Sequence, residues 1–323
     1  MNRADWMMLL PEIVLCGGGV LVLMLDALFP KIRRSFTALS LLTTAITAWA
    51  VYYVTPSRPA IGATATFGGL LETSPLTAAF SYVVLLATAL CLLASQGYLR
   101  REKILAGEYH ALLLWCATGL LLMLRATELL TVFLALELLS LCLYCLAVYH
   151  RRISLGGEAA IKYFLMGAFV SAFVLYGIAL VYGATGSTRF DAIGRALASA
   201  PGVPMLASLG FLLLVAGFGF KMSVVPFHAW SPDTYQGAPS PFVAFLSVAP
   251  KVASALVLFR VLDAAVQGGA GASAAKWSGV VAALSVLSMV AGNLLALAQR
   301  DIKRMLAYSG IAHMGYLLLA LVT

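Results

Sequence analysis

The chain has 323 residues, of which 62% are hydrophobic and only 11% are charged. Soluble globular proteins carry about 25% charged and roughly 45–50% apolar residues. This composition therefore excludes a soluble enzyme, a nucleic-acid-binding protein and a disulfide-stapled secreted domain. The mean hydropathy of +0.97 indicates a protein that crosses a lipid bilayer several times. The formal net charge of +8 is then a topological signal, because Lys and Arg are enriched in cytoplasmic loops.

Ten apolar runs along the chain are long enough to cross a membrane, which takes about 20 residues per helix. We expect helices, because the strands of a membrane barrel alternate apolar and polar residues and no such alternation is visible. The pattern predicts an all-α fold, a polytopic membrane helix bundle. Its spans are expected at residues 9–29, 36–54, 76–98, 110–126, 129–149, 159–183, 204–225, 240–262, 277–298 and 305–322. The first run is expected to be a retained helix, since the chain start lacks the features of a cleavable signal peptide.

The loops between these runs indicate the orientation of the protein. Gly and Pro concentrate in Thr55–Gly69, Gly183–Pro204 and Gly268–Gly271, and none of these segments is long enough to form a soluble domain. With ten spans, twelve Lys and Arg residues fall on one side of the membrane and seven on the other. The positive-inside rule then predicts that both termini lie on the non-cytoplasmic side.

Three ionisable residues lie deep inside apolar runs, namely Glu137, Lys221 and Lys251. A charge at the centre of a membrane helix is unfavourable by roughly 2.5–3.5 kcal/mol on insertion scales. Such residues normally face one another or a polar cavity, and they commonly belong to ion or proton pathways. The three residues are therefore candidates for a proton relay. The alternative is a static ion pair that only fixes helix packing.

Helix-breaking residues surround the two lysines. Gly217 and Gly219 precede Lys221, and Pro250 immediately precedes Lys251. Broken helices are tolerated at mid-membrane where the freed backbone groups line a hydrated cavity. We therefore expect interrupted helices at both lysines. The alternative is that proline is simply frequent in membrane helices.

The segment from Pro226 to Pro241 links the two lysine-bearing runs and is rich in proline and aromatic residues. His228 lies seven residues after Lys221, so on a continuous helix the two side chains would share a face. Because histidine titrates near physiological pH, His228 is a candidate end of the relay. An ordinary hydrogen-bonded interfacial histidine is the alternative. Lys162 and His313 are weaker candidates. Lys162 lies close to the start of its run on the cytoplasmic side, where it either snorkels to the interface or extends the polar axis. His313 lies within the last run, where an imidazole is costly enough to indicate a polar contact.

The sequence contains no pattern for a redox centre. Its five cysteines all lie in apolar runs, and the pair Cys142 and Cys145 has no companion Cys or His that would complete a metal site. We expect buried, inert thiols. No Gly-rich dinucleotide fingerprint opens a helix after a strand either. The chain itself is therefore predicted to bind no cofactor and no metal.

Several motifs resemble one membrane protein family in combination. They are the stretch around Glu137 from Leu134 to Leu138, the Gly219–Lys221 stretch, the Pro226–Pro241 link, the stretch from Asp301 to Ser309, and His313–Tyr316. From about Leu120 to Leu321 the chain resembles the proton-translocating core of the antiporter-like membrane subunits of respiratory complex I. These subunits are related to subunits of multi-component cation/proton antiporters. The wording of Trp230–Pro239, together with a lysine at position 251, favours one particular member.

The resemblance implies roles for the buried charges. Glu137 would pair with Lys221, and Lys251 would connect that pair to a central hydrophilic axis. NADH, FMN, iron–sulfur clusters and quinone would be bound by partner subunits. The implied partners are other antiporter-like subunits, small membrane subunits and the lipid bilayer, with no nucleic acid. The implied location is the bacterial inner membrane.

The resemblance also implies a division of the chain. Family members usually have fourteen helices, built from two inverted five-helix repeats, with a further buried charge late in the second repeat. Residues 1–108 would hold three N-terminal helices and 109–323 the antiporter-like core. The first repeat would cover about 112–262 and a partial second repeat about 275–323. We therefore expect either a fragment or a shortened form whose exit half-channel comes from elsewhere.

Three functions are compatible with these observations. The first is a proton-translocating membrane subunit driven by NADH-to-quinone electron transfer in its partners. The second is a subunit of a multi-component Na⁺(K⁺)/H⁺ antiporter, which would use the same buried residues. The third is a scaffold subunit that pumps nothing.

Overall fold

A computed structural model of the chain describes residues 3–29, 35–55, 64–102, 104, 107–149, 154–199, 204–267 and 272–321. Helices dominate this part, with one two-stranded hairpin. The elements are α1 (Arg3–Met8), α2 (Leu10–Leu28), α3 (Phe36–Val54), β1 (Thr64–Thr66), β2 (Leu71–Thr73), α4 (Pro75–Arg101), α5 (Gly107–Arg125), α6 (Leu129–Ala147), α7 (Ser154–Thr185), α8 (Phe190–Ala198), α9 (Met205–Met222), α10 (Trp230–Gly237), α11 (Ser240–Gln267), α12 (Ala272–Leu297) and α13 (Ile302–Leu319).

Nine of the described helices are long and apolar enough to cross a membrane: α2, α3, α4, α5, α6, α7, α9, α11 and α12. Each coincides with one predicted run. The tenth run, 305–322, corresponds to α13, an 18-residue helix that carries Lys303 and Arg304 in its first turn. The predicted all-α membrane bundle is confirmed, and the chain is a multi-pass membrane protein.

Four short elements lie in segments that the sequence interpretation treated as connections. Strands β1 and β2 pair antiparallel, with Thr64 opposite Thr73. Helix α8 has nine residues, buries Ile193 and Leu197, and exposes an ion pair between Asp191 and Arg195. Helix α10 has eight residues and occupies the middle of the proline-rich link. Each is too short to produce the long apolar run on which the prediction of spans depends.

Two helix starts are determined by local side-chain hydrogen bonds. The Ser74 hydroxyl accepts a hydrogen bond from the Thr77 amide at 3.2 Å, and the Ser74 amide donates to the Thr77 hydroxyl at 2.9 Å. This reciprocal arrangement satisfies two backbone donors where α4 begins. Asp301 caps α13 in the same sense, since its carboxylate accepts from the Arg304 amide at 3.0 Å. Side-chain acceptors at this position stabilise a helix by about 1 kcal/mol.

The chain divides into two compact units. The first comprises Met1–Thr127, Leu134–Arg152 and Ala238–Ala249. Within it α2 packs against α3 and α5, and α4 packs against α3 and α5. A glycine permits one close approach there, because a Cβ at Gly119 of α5 would lie 3.0 Å from the Ala135 carbonyl oxygen of α6.

The second unit comprises Glu128–Phe133, Ile153–Gly237 and Pro250–Thr323. Helix α7 packs against α9, α12 packs against α13, and α10 contacts both α7 and α13. The backbones of α7 and α9 meet at two glycines, since a Cβ at Gly210 would lie 2.8 Å from the Gly177 carbonyl oxygen. Small residues at helix contacts allow this approach in membranes, where packing replaces the hydrophobic effect as the main attraction. The predicted boundary at residue 108 and the predicted repeat limits stay predictions.

Candidate functional site

Glu137 lies near the middle of α6, in the first unit. Its side chain is half-buried, and its Oε1 atom is shielded without a hydrogen-bond partner among the described residues. Burying a carboxylate without such compensation is unfavourable. The shielded oxygen of Glu137 therefore needs a proton, a water molecule or a charged partner.

Lys221 lies in the last turn of α9, in the second unit, and only 3% of its surface is exposed. Helix α9 ends at Met222 because Ser223 adopts the left-handed conformation, with φ of 62°. The amide of Val224 then donates to the Gly219 carbonyl oxygen at 2.8 Å. The negative end of the helix dipole favours a cation in the last turn by about 0.3–1 kcal/mol at exposed sites and more where burial is partial. The helix end thus stabilises a charged Lys221.

His228 does not share a helix with Lys221, so the shared face that a continuous helix would give does not arise. The chain leaves α9 at Ser223 and turns through residues 223–229, with a cis peptide bond between Val225 and Pro226. The imidazole of His228 lies 6.4 Å from the Tyr308 ring, between centroids. Burial lowers the pKa of His228, and a hydrogen bond with the Pro226 backbone opposes that shift only partly. The neutral imidazole is favoured at neutral pH.

Lys251 lies on α11 and is among the largest fully buried side chains, with 1% of its surface exposed. Its Nζ atom has no hydrogen-bond partner within the part of the chain that the structure describes. The ammonium lies 5.5 Å from the centroid of the Tyr235 ring, within the range of a cation–π interaction. An aromatic ring of α10 thus replaces part of the hydration that Lys251 has lost.

The helix interruption expected at Lys221 is found just after it, whereas the one expected at Lys251 is wrong. Helix α11 runs from Ser240 to Gln267 with Pro250 inside it. Proline within a membrane helix is tolerated where neighbouring groups satisfy the freed carbonyl. The break in this region lies after Lys221, at Ser223, three residues before the proline-rich link begins at Pro226.

Trp230 anchors α10 to its neighbours. Its ring stacks on Tyr163 of α7 with centroids 4.6 Å apart, and its Nε1 donates to the Phe220 carbonyl oxygen at 2.9 Å. Trp230 is 1% exposed. Because Tyr235 follows on the same short helix, this anchor also determines where the ring beside Lys251 lies.

Lys162 belongs to a polar cleft at one edge of the second unit. Its Nζ lies 2.8 Å from a Glu158 oxygen and 3.2 Å from an Asp233 oxygen, and Arg304 binds the other Asp233 oxygen at 2.5 Å. The cleft has a volume of about 200 Å³ and is also lined by Gln236. Partial burial by itself raises the pKa of Asp233, but the hydrogen bonds from Arg304 and Lys162 outweigh it, so the net shift is downward. Asp233 therefore remains ionised and connects α10 to α7 and α13.

His313 lies on α13 with an exposed side chain. Its Nδ1 is 2.9 Å from the Ser309 carbonyl oxygen, one turn earlier on the same helix. This local bond provides the polar contact that an imidazole needs in an apolar run. Relay roles for His313, Lys162 and His228 stay predictions.

The structure brings some of the predicted residues into one unit. Lys221, Lys251, His228, Lys162 and His313 belong to the second unit, and Glu137 belongs to the first. The pairing of Glu137 with Lys221 stays a prediction.

The sequence interpretation missed a buried ion pair in the first unit. Arg125 Nη1 lies 2.5 and 2.7 Å from the two carboxylate oxygens of Glu12, and each residue is 4% exposed. Arg125 Nη2 also donates to the Met8 carbonyl oxygen and the Thr73 hydroxyl. The available signal was Glu12 itself, a carboxylate inside the first apolar run. Its partner is 113 residues away in sequence.

The cysteines differ from one another in exposure. Cys91, Cys116 and Cys142 are buried, as expected, whereas Cys16 and Cys145 are exposed, and all five are free thiols. The expectation of five buried thiols is therefore wrong for two of them. Cys142 and Cys145 lie three positions apart on α6, and only the first turns toward the protein interior.

Fold and site together define a multi-pass membrane protein with ionisable side chains held inside its helix bundle. Residues 126–323 match the family described as NADH:quinone oxidoreductase/Mrp antiporter, transmembrane region. The chain belongs to this family. The predicted resemblance is thereby confirmed.

Named relatives are similar along almost the whole chain. NADH-quinone oxidoreductase subunit N 2 of Koribacter versatilis is 40% identical over 98% of this chain and 64% of its own length. Subunit N of Myxococcus xanthus is 39% identical over 98% of this chain and 60% of its own length. A chain of respiratory complex I from Thermus thermophilus, solved with bound aureothin, is 35% identical and superposes with a TM-score of 0.77. That match covers 97% of this chain and 64% of the other. The chain thus spans about three fifths of the length of these relatives.

Proposed function

We propose that this chain is a proton-translocating membrane subunit of an NADH-quinone oxidoreductase, of the subunit N type. The similarity to relatives of that name supports the assignment, as does the Trp230–Pro239 segment with a lysine at position 251. The observation that carries the proposal is Lys251, a fully buried amine without a hydrogen-bond partner among the described residues. An amine in that state binds and releases a proton in response to small changes in nearby charge.

The proposed work of the chain is electrostatic. While ionised Glu137 is close, Lys221 keeps its proton, because an opposite charge favours the charged form of a buried group. When that charge is withdrawn, burial favours the neutral amine and the proton passes toward Lys251. The groups titrate as a coupled set, so each proton movement alters the others. His228, Lys162 and His313 are the lower-ranked candidates for continuing the path.

Partner subunits would supply the driving force. In this proposal NADH, FMN, iron–sulfur clusters and quinone are bound by partners, since the five cysteines of this chain are scattered through apolar runs. The partners are other antiporter-like subunits and small membrane subunits in the same bilayer. The excess of Lys and Arg on one side supports an orientation in a bacterial inner membrane with both termini on the non-cytoplasmic side.

The proposal is tested in the assembled enzyme. Glu137→Gln and Lys251→Met are expected to lower proton translocation per NADH oxidised while the complex still assembles. Asp191→Asn is the matched control, because it removes a carboxylate that is 54% exposed on the short helix α8. Unchanged proton translocation in both test variants would overturn the assignment.

The family description also names Mrp antiporters, so a cation/proton exchanger is the second candidate. Vesicles that show Na⁺- or K⁺-dependent pH changes without NADH or quinone would favour it. A scaffold is a third candidate, and it predicts that Lys221→Ala impairs assembly but leaves pumping per assembled complex unchanged. Mass spectrometry of the tagged chain purified in mild detergent separates the first two, since only the oxidoreductase co-purifies with NADH-oxidising subunits.

A further inference from the structure

Lys251 extends toward a glycine on α13. A Cβ built at Gly310 would lie 3.2 Å from Lys251 Nζ. Apart from the adjacent residues and the nearby backbone of α13, no other described heavy atom lies within 4 Å of that Cβ. A contact of 3.2 Å is closer than an ordinary carbon–nitrogen van der Waals contact of roughly 3.5 Å. The ammonium therefore occupies the space that any larger residue at position 310 would fill.

Two neighbours of the ammonium differ in kind. The ring of Tyr235 lies 5.5 Å away, and the backbone of α13 at Gly310 comes close without a side chain intervening. All three residues belong to the second unit. Neither neighbour is a carboxylate, so neither fixes the amine in its charged form. The arrangement sets the position of the amine and leaves its proton exchangeable.

We propose that Gly310 is a positioning residue for Lys251, and that its missing side chain sets how far the amine reaches toward α13. The functional part of this inference rests on the proposed proton translocation, in which Lys251 carries a proton. The geometric part stands on the two contacts alone.

Gly310→Ala tests the inference because the clash is with the far end of a flexible side chain. The lysine can move aside by a few tenths of an ångström, so the protein should fold and assemble. Misplacing a reacting group by about 1 Å can slow a step by about a hundredfold. A displacement of a few tenths of an ångström is expected to lower the rate of proton translocation per assembled enzyme roughly tenfold.

Two further glycines provide matched controls. Gly279→Ala on α12 adds the same methyl group where no described atom lies within 4 Å, and it should behave as the unmodified enzyme does. Gly315→Ala on α13 would place a methyl 2.7 Å from Met289 Cγ and 2.8 Å from the Ser285 carbonyl oxygen. That variant should lose assembly and activity in proportion, which is the signature of damaged helix packing.

A double-substitution cycle separates positioning from general damage. Histidine is a shorter basic side chain, so the Lys251→His background should leave room for a methyl at position 310. Gly310→Ala should then reduce proton translocation strongly with Lys251 present and little in the Lys251→His background. Gly315→Ala should have the same effect in both backgrounds. Equal effects of Gly310→Ala in both backgrounds would overturn the positioning role.

A second readout keeps this inference separate from the proposed function. The thermal unfolding midpoint of the purified complex is measured for the same four variants of the Gly310 cycle. A dependence of the Gly310→Ala shift on the residue at position 251 supports the contact, whether or not protons are pumped. Additive shifts refute the contact. Full proton translocation by both Glu137→Gln and Lys251→Met refutes the proposed function, and the unfolding cycle still decides the geometry.

Discussion

The buried pair of Glu12 and Arg125 gives a quantitative test of the first unit. Arg125 binds both carboxylate oxygens of Glu12, and it also donates to the Met8 carbonyl oxygen at 2.8 Å and the Thr73 hydroxyl at 2.7 Å. Each member of the ion pair is 4% exposed. Removing one partner from a buried pair destabilises a protein by about 3–5 kcal/mol, because the remaining charge is left uncompensated.

The perturbation is a cycle of Glu12→Gln, Arg125→Gln and the double variant. Glu12→Gln should lower the free energy of unfolding by about 3–5 kcal/mol. Arg125→Gln should do the same and also deprive Met8 and Thr73 of their donor, at about 0.5–1.5 kcal/mol for each lost hydrogen bond. The double variant should be less destabilised than the sum of the two, since it contains no unpaired buried charge. The expected coupling is about 2–3 kcal/mol.

The assay is unfolding of the purified protein in detergent, followed by loss of helical signal as a denaturing detergent is added. Asp191→Asn and Arg195→Gln on α8 form the comparison pair, because their side chains are 54% and 77% exposed. An exposed pair of this kind contributes about 0–1 kcal/mol. The assignment of a compensated buried charge pair is refuted if the losses of unfolding free energy for Glu12→Gln and Arg125→Gln are additive. It is also refuted if each loss is as small as that of the exposed substitutions.

Three other predictions address the second unit. Tyr235→Phe should keep the interaction with Lys251, whereas Tyr235→Leu should lower the free energy of unfolding by about 0.5–2 kcal/mol, measured in detergent. Gly210→Ala should destabilise the α7–α9 contact by about 1–3 kcal/mol in the same assay, because its methyl would lie 2.8 Å from the Gly177 carbonyl oxygen. Gly183→Ala is the control, since its methyl would make an ordinary contact at 3.5 Å. The Gly183→Ala protein should therefore be more stable than the Gly210→Ala protein. The pKa of Asp233 is lowered from 3.8, so its ion pairs should stabilise the protein fully above about pH 5 and lose that effect as pH falls through the lowered pKa. The unfolding midpoint of Asp233→Asn should therefore change less with pH between about 5 and 2 than that of the unmodified protein.

The spans could be predicted because hydrophobic length is a local property. Ten apolar runs correspond to helices, and the pattern needs no information about which helices touch. Buried charges were equally visible, since Lys221 and Lys251 interrupt otherwise apolar stretches. The burial of both lysines is as the sequence led us to expect.

The details of the site depend on contacts that the sequence does not display. Glu12 and Arg125 are far apart in sequence and lie near helix ends, where each alone resembles an ordinary interfacial charge. The break between Lys221 and His228 depends on one left-handed residue, Ser223, which is not a glycine. Helix α11 continues through Pro250 although proline favours a break. In each case tertiary packing outweighs the local preference of the residue.

The indole of Trp230 links α10 directly to the end of α9. Its hydrogen bond reaches the Phe220 carbonyl oxygen, and Phe220 is the residue immediately before Lys221. Three residues further along α10, Asp233 holds Lys162 and Arg304 at the accessible edge of the unit. One short helix therefore connects a partly exposed charge cluster to the backbone beside the buried Lys221. A displacement of Asp233 is therefore expected to shift α10 and, through the Trp230 hydrogen bond, the backbone at Phe220 beside Lys221.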